Sequence, residues 1–305
     1  IIEKYPKLGG TCLNVGCIPS KALLESSEHF FKSKHEFKHH GISIGSVNLD
    51  ISTTMKRKTN IVSEMHMGLD YLMKKNKITI FNGVGSFVDS NIISVSNGKK
   101  VNNITAKNII IATGSKPFSL PHFKLDKKRI ISSTEALSLK EIPKKLIIVG
   151  AGVIGLELGS VYARMGSEVS VVDVASSVLS SMDSSLGKEL KKVLVRDLGF
   201  KFYLSHKVES VTNNGKKVEL CATSPSKETL KLTAEYCLVS IGRKAYTDGL
   251  NLGAIGLQTS ESGQVIVNDK LMTSQVGVYA IGDVVSGPML AHKAEEEGVF
   301  VAEII

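Results

Sequence analysis

Lys145-Leu146-Ile147-Ile148-Val149-Gly150-Ala151-Gly152-Val153-Ile154-Gly155-Leu156-Glu157 is the stretch that decides the fold. Its first five residues read as a buried strand, and the glycines at 150, 152 and 155 follow it directly as Gly-x-Gly-x-x-Gly. An amphipathic helix to about residue 165 comes next, then a strand over 168–172 that ends at Asp173. Strand, glycine turn, helix, strand and terminal acid at this spacing predict a βαβ unit that binds a dinucleotide. Gly150 permits the tight turn, Gly152 admits a pyrophosphate, and Gly155 lets helix and sheet pack closely, with the helix N-terminus facing the phosphates. Asp173 accepts hydrogen bonds from a ribose 2′-hydroxyl and repels a 2′-phosphate, so NAD is expected over NADP.

Toward the N-terminus, Gly9-Gly10-Thr11-Cys12-Leu13-Asn14-Val15-Gly16-Cys17-Ile18-Pro19-Ser20-Lys21 holds two cysteines close in sequence. Five residues apart in a regular helix they would be separated by about 7.5 Å of rise and about 140° of rotation. A disulfide wants Cα atoms about 4.4–6.8 Å apart, so the turn must be distorted, and Gly16 relaxes the backbone there. Pro19 and Ser20 read as the first turn of a helix, which places Cys17 near a helix N-terminus, where the dipole and Lys21 favour a thiolate. These features describe a reactive dithiol, and two buried apolar cysteines are the alternative that the residues leave open.

The remaining pattern is that of an α/β protein. Helices are expected over 20–38 and 50–75, with Leu23, Leu24, Phe30, Phe31, Ile61, Met65, Leu69 and Leu72 as apolar positions and Met55, Met65, Met67 and Met73 as core. Strands are expected over 78–81, 85–88, 92–95 and 108–111, the last running into Ala112-Thr113-Gly114-Ser115, where backbone can approach a ligand at a sheet edge. Ser132 and Glu135 have capping-box spacing. A helix over 186–198 precedes strands at 201–204, 207–211 and 217–220, the last two joined by the hairpin signal Asn213-Asn214-Gly215. A strand over 236–240 leads into Ile241-Gly242-Arg243, and a buried strand near 278 ends in Gly282-Asp283 before a helix that begins at Met289-Leu290-Ala291-His292. His122, in a Pro-flanked loop, carries no role.

Composition narrows the function classes. The 305 residues allow about two domains, with 42% hydrophobic and 22% charged residues. The net charge of +9 comes from scattered lysines, with 6% aromatics and no Trp, which argues against nucleic acid and for a solvated basic face. No apolar run nears the roughly 18 residues of a spanning helix, so no membrane role is expected. Four cysteines without a framework suit a reducing compartment. Cys221 and Cys237 read as core, and no Cys-x-x-Cys or Cys/His cluster suggests a metal.

The run 9–21, followed in order by Ala112-Thr113-Gly114, the glycine turn at 150–155, Gly282-Asp283 and Met289-Leu290-Ala291-His292, resembles the flavoprotein disulfide reductases of the pyridine nucleotide-disulfide oxidoreductase family. Cys17-Ile18-Pro19-Ser20-Lys21 is most similar to the branch that oxidises dihydrolipoyl groups. The resemblance implies an α/β fold with two Rossmann-like, three-layer nucleotide-binding domains. A partial FAD domain at 1–140, completed by a return segment at 263–305, would be interrupted by an inserted NAD domain at 141–262. FAD would be held by Glu3 at the adenosine ribose, by Gly10, Thr11, Lys21, Gly85, Ala112, Thr113 and Gly114, by Asp283 at the ribitol and phosphate region, and by Met289, Leu290, Ala291 and His292 beneath the flavin O2. NAD would be held by Gly150, Gly152, Val153, Gly155, Glu157, Asp173, Val208 and Gly242.

The implied mechanism has a dihydrolipoyl thiolate attack Cys12, with Cys17 nearer the flavin passing electrons to FAD and from there as hydride to NAD. Glu157, for which a helix-surface acid near the positive end of the dipole is the lesser alternative, would pair with Lys21. No glycine turn precedes Glu3 and no His-Glu base follows Leu290-Ala291-His292 before Ile305. The chain is therefore expected to be an internal fragment, lacking the N-terminal FAD glycine motif and the C-terminal interface domain. The implied partner is the dihydrolipoyl domain of a 2-oxoacid dehydrogenase or glycine cleavage complex. A homodimeric parent is implied too, in the mitochondrial matrix of a eukaryote or a bacterial cytoplasm. Alternatives are a reductase of the mercuric or glutathione type, which Ile18, Ser20 and Asp173 disfavour, or an NAD-binding fragment without catalysis.

Overall fold

The computed structural model describes residues 1–98, 100–118, 120 and 124–305, so His122 lies outside the described residues. The chain packs into two compact units, each discontinuous: Ile1–Asn14, Glu64–Lys116 and Arg243–Ile305 form one, and Val15–Ser63 with Pro117–Gly242 the other.

The second unit is built on a five-stranded parallel sheet in the order Lys201–Tyr203, Glu168–Val172, Lys145–Val149, Tyr236–Val239, Ile130–Ile131. Side chains of a strand alternate between the sheet's two faces, and the central strand shows it. Leu146 and Ile148 pack with Leu156, Leu158, Val161 and Tyr162 of helix Val153–Arg164 and with Leu23 of helix Cys17–His35. Ile147 and Val149 pack on the opposite face with Val211, Val218, Leu220 and Ala222 of the antiparallel sheet Lys207–Asn213, Val218–Thr223, Thr229–Ala234. Sandwiched on both faces, the strands Lys145–Val149 and Tyr236–Val239 are apolar throughout their buried length, as a covered parallel sheet requires.

Among the described residues, three smaller sheets lie wholly within the first unit. Ile2–Glu3 pairs in parallel with Phe81–Asn82, Ile109–Ile111 pairs in parallel with Val278–Ala280, and Val84–Phe87, Ile92–Ser96 and Val101–Thr105 form an antiparallel meander. Phe87, Ile93, Val95, Ile111, Val278 and Ala280 share its core, and helix Ala291–Ile304 closes the chain.

Several sequence expectations need correction. The helix expected from residue 20 begins at Cys17, with Ser20 N–H donating to Gly16 O at 3.1 Å. Pro19 is tolerated at its third position because the first four helical N–H groups have no intrahelical acceptor. Met65 and Met67, expected in the core, are 46% and 63% exposed, and Leu72 is exposed as well. Helix Ile51–Lys75 turns the other side inward there, burying His66 against Asn14, whose Oδ1 lies 2.9 Å from His66 Nε2. Cys237 is fully buried and its thiol is pushed up to about 12 by burial. Cys221 is only half-buried, because it alternates with the inward Leu220 and Ala222 on its strand. Strands Val101–Thr105 and Thr229–Ala234 were not expected from the sequence.

Candidate functional site

The glycine turn sits where the central strand ends. Gly150 has φ +106°, and a Cβ there would lie 2.4 Å from Ser240 O on the neighbouring strand's exit. A Cβ on Gly155 would meet Ser240 Oγ at 2.5 Å, Gly150 O at 2.6 Å and Ile148 Cγ2 at 2.9 Å, so helix and sheet are in contact at this point. Gly152 differs from both, since a Cβ there would meet nothing within 4 Å. Gly152 is also the N-cap of helix Val153–Arg164 and offers no side chain to cap it. Open space over uncapped helical N–H groups is the cradle that a dinucleotide pyrophosphate fills.

Asp173 lies at the end of the adjacent strand, its N–H bonded to Tyr203 O at 3.0 Å. Its Oδ2 accepts from Ala151 N–H at 2.5 Å and its Oδ1 from Ala175 N–H at 2.8 Å. The carboxylate therefore braces the glycine turn itself, a role that no spacing rule reveals, and with about four lone-pair sites it retains acceptor capacity for a ribose hydroxyl. Val208 lies at a register shift in the antiparallel sheet. Gly242 has φ +122° and accepts from Phe118 N–H at 3.0 Å.

Cys17 is the first residue of helix Cys17–His35, and Lys21 lies one turn on. Lys21 Nζ forms an ion pair with Glu157 Oε1 at 2.7 Å. Glu157 belongs to helix Val153–Arg164, two residues beyond the last glycine, so the helix that carries Cys17 is fastened to the helix that starts at the glycine turn. Cys12 lies in the short helix Gly10–Val15 and is half-buried.

In the other unit, Glu3 ends its strand and its Oε1 accepts from Tyr5 N–H at 2.9 Å. A Cβ on Gly85 would press on Ile2 Cγ2 at 3.3 Å, placing Gly85 beside that strand. Ala112, Thr113 and Gly114 follow strand Ile109–Ile111. Thr113 Oγ1 donates to Tyr246 O at 2.6 Å, while Tyr246 N–H donates to Gly114 O at 2.8 Å. Gly10 and Gly114 have φ +56° and +70° with nothing within 4 Å of an added Cβ. Asp283 Oδ2 accepts from Ser115 Oγ at 2.5 Å. Helix Ala291–Ile304 starts after Met289 and Leu290 with no side-chain cap, leaving the first amides, His292 among them, for an outside acceptor. Open glycines, an acid at a strand end and an uncapped helix start fit a second nucleotide-type ligand. Sequence reasoning missed Ser115 and Arg243, which join this cluster from distant segments. Among the described residues no group of three His, Cys, Asp or Glu is placed to hold a metal ion, and no helix is long and apolar enough to cross a membrane.

Comparison with known proteins decides the family. Residues 1–298 match the pyridine nucleotide-disulphide oxidoreductase family model. The chain belongs to this family. Among its members, dihydrolipoyl dehydrogenase, mitochondrial, of Pisum sativum is 48% identical over 306 residues, covering all of this chain and 61% of its own length. A leghemoglobin reductase of Glycine max is also 48% identical, with all of this chain and 58% of its own length covered. The chain thus spans about three-fifths of these oxidoreductases. The HOCl-induced flavoprotein disulfide reductase RclA of Escherichia coli, as its Cu(II) complex, superposes with a TM-score of 0.86 at 26% identity, over 99% of this chain and 64% of that one.

Proposed function

We propose that the protein carrying this chain is a dihydrolipoyl dehydrogenase, oxidising dihydrolipoyl thiols through Cys12 and Cys17 with FAD and NAD as cofactors. The observation that carries the reading is the fastening of Lys21, one turn after Cys17, to Glu157, two residues after the last glycine: the helix of Cys17 and the helix of the glycine turn form one packed pair. The relatives' names support the same reading. FAD is assigned to residues 1–140 and 263–305, with Glu3, Gly10, Thr11, Gly85, Ala112 to Gly114, Asp283 and Met289 to His292 as its contacts. NAD is assigned to 141–262, with Gly150, Gly152, Val153, Gly155, Glu157, Asp173, Val208 and Gly242.

In the thiol chemistry, a dihydrolipoyl thiolate attacks Cys12 Sγ of the oxidised pair, forming a mixed disulfide and releasing Cys17 as thiolate. The second substrate thiolate then displaces Cys12, so the substrate leaves as a disulfide. Two electrons stay on the cysteine pair and two protons are released or held nearby. Bound flavin and nicotinamide supply the acceptor for those two electrons, as a hydride equivalent. The chain's contribution is position: Cys17 at the first residue of its helix, and Lys21, one turn on, held by Glu157. Asp173 keeps the turn closed and presents an anion that disfavours a 2′-phosphate, hence NAD. The partner would be a lipoyl-bearing domain of a 2-oxoacid dehydrogenase or glycine cleavage complex, with a homodimeric parent in the mitochondrial matrix or a bacterial cytoplasm.

The test is an absorption spectrum of the chain with FAD before and after dihydrolipoamide. Retained flavin bands and a new long-wavelength thiolate-to-flavin band support the reading, whereas retained flavin that dihydrolipoamide leaves unchanged would falsify it. The soybean relative's name favours a second reading, reduction of a leghemoglobin-type haem protein, which the same preparation separates by acceptor.

A further inference from the structure

We infer that Arg243 is a positioning residue of the proposed flavin site, fixing the hydrogen-bond direction of Asp283 and Thr11. The inference rests on the flavin reading above. Arg243 Nε donates to Ser115 Oγ at 2.7 Å, and its Nη2 donates to Ser115 O at 2.8 Å and to Thr11 Oγ1 at 3.3 Å. Ser115 Oγ in turn lies 2.5 Å from Asp283 Oδ2. A guanidinium has donors and no acceptor. Ser115, accepting from Arg243, therefore has one proton left, and it goes to Asp283. The direction of that bond is set by the cation behind it.

The same logic applies to Thr11. Its hydroxyl accepts from Arg243, so its own proton is free to point at another acceptor, such as a phosphate oxygen. Arg243 thus makes Thr11 a donor toward ligand and holds Asp283 by one oxygen, leaving acceptor capacity on the carboxylate for ligand hydroxyls. The four residues come from four segments, with Arg243 separated from Thr11 by 232 positions and from Ser115 by 128. All four side chains are half-buried, where charge-assisted bonds are stronger than in open water. Lysine could not replace the arrangement, since a single ammonium cannot span two atoms of Ser115 and Thr11 with a rigid planar fork.

The experiment measures the FAD dissociation constant by flavin fluorescence quenching for the 305-residue chain, R243M, R243K, S115A and the double variant R243M/S115A, with thermal melts alongside. R243M and S115A are each expected to weaken FAD by about tenfold or more, with R243K restoring only part. The double variant should be no weaker than R243M, because Arg243 reaches Asp283 through Ser115 and coupled groups do not add. Unchanged affinity in R243M, or losses that add fully in the double variant, overturns the inference. Should R243M fail to fold, S115A decides, and unchanged affinity there overturns it equally. A wild-type chain that takes up no flavin overturns the flavin reading and the inference together, whereas bound flavin with unaffected variants overturns the inference alone.

Discussion

Asp126 collects four donors: backbone N–H of Lys128, Arg129 and Ile130 at 2.7, 2.8 and 2.9 Å, and Asn213 Nδ2 at 2.5 Å. Burial pushes its pKa up, but these donors outweigh it and hold the carboxyl below its ordinary range. A depressed folded-state pKa means stability that is present above the unfolded value of about 3.9 and lost as pH falls through the folded one. Asp126→Asn should therefore be less stable than wild type at neutral pH, by about 1–2 kcal/mol, and the gap should close on acidification. Urea melts from neutral pH to below the carboxylate range check this, and a gap that ignores pH refutes it. The Lys21–Glu157 pair behaves differently. With the lysine side chain 60% exposed, Glu157→Gln should change stability by less than about 1 kcal/mol in the same melts, so that any larger loss in dihydrolipoamide turnover belongs to function. The Lys21–Glu157 pair is what the family resemblance implies, whereas neither Asp126 as a hydrogen-bond hub nor Asp173 as a brace for Ala151 was legible in the sequence. That bond joins atoms 22 residues apart in sequence and exists only once two strands lie side by side.

At the scale of elements, the helix behind the glycine turn separates two kinds of glycine. A methyl on Gly155 has no room against Gly150 O and Ile148, so Gly155→Ala should cost about 1–3 kcal/mol of stability by forcing helix and sheet apart. Gly152→Ala adds its methyl to open space at φ −82°, which alanine accepts, and should leave the thermal melt within about 0.5 kcal/mol of wild type while weakening NAD binding. Calorimetric titration with NAD on both variants reads the two effects separately; a Gly152→Ala chain that binds NAD normally would remove the pyrophosphate from this cradle. The βαβ unit was legible because its strands are buried on both faces and its punctuation is glycine. The capping box at Ser132 and Glu135 was equally plain, and Glu135 Oε2 does accept from Ser132 N–H at 2.9 Å. Strand Val101–Thr105 was not, since Val-Asn-Asn-Ile-Thr is mostly exposed on an outer strand of its meander and lacks an apolar stripe. The second half of helix Ile51–Lys75 misled for the opposite reason: its apolar stripe is real, and the packing in this chain uses the other side.

Two compact units, each with its own core, set the behaviour of the molecule as a whole. Leu23, Leu146, Ile148, Leu158 and Tyr162 fill one core and Phe87, Ile111, Val265, Val278 and Ala280 the other, with no residue shared. Multidomain chains of this kind depart from a single two-state transition, and the larger parallel-sheet unit buries more apolar side chains, so it should melt at the higher temperature. A ligand stabilises only the unit that binds it, by about 2.7 kcal/mol at a hundredfold excess over its dissociation constant. NAD should therefore shift the upper calorimetric transition and leave the lower one in place, and FAD, most of whose assigned contacts lie in the other unit, should raise the lower one. A single transition that both ligands move together would show that the units unfold as one. A lower transition raised by NAD would mean that the nucleotide sites are assigned to the wrong units, since Gly150, Gly152, Gly155 and Asp173 all lie in the parallel-sheet unit.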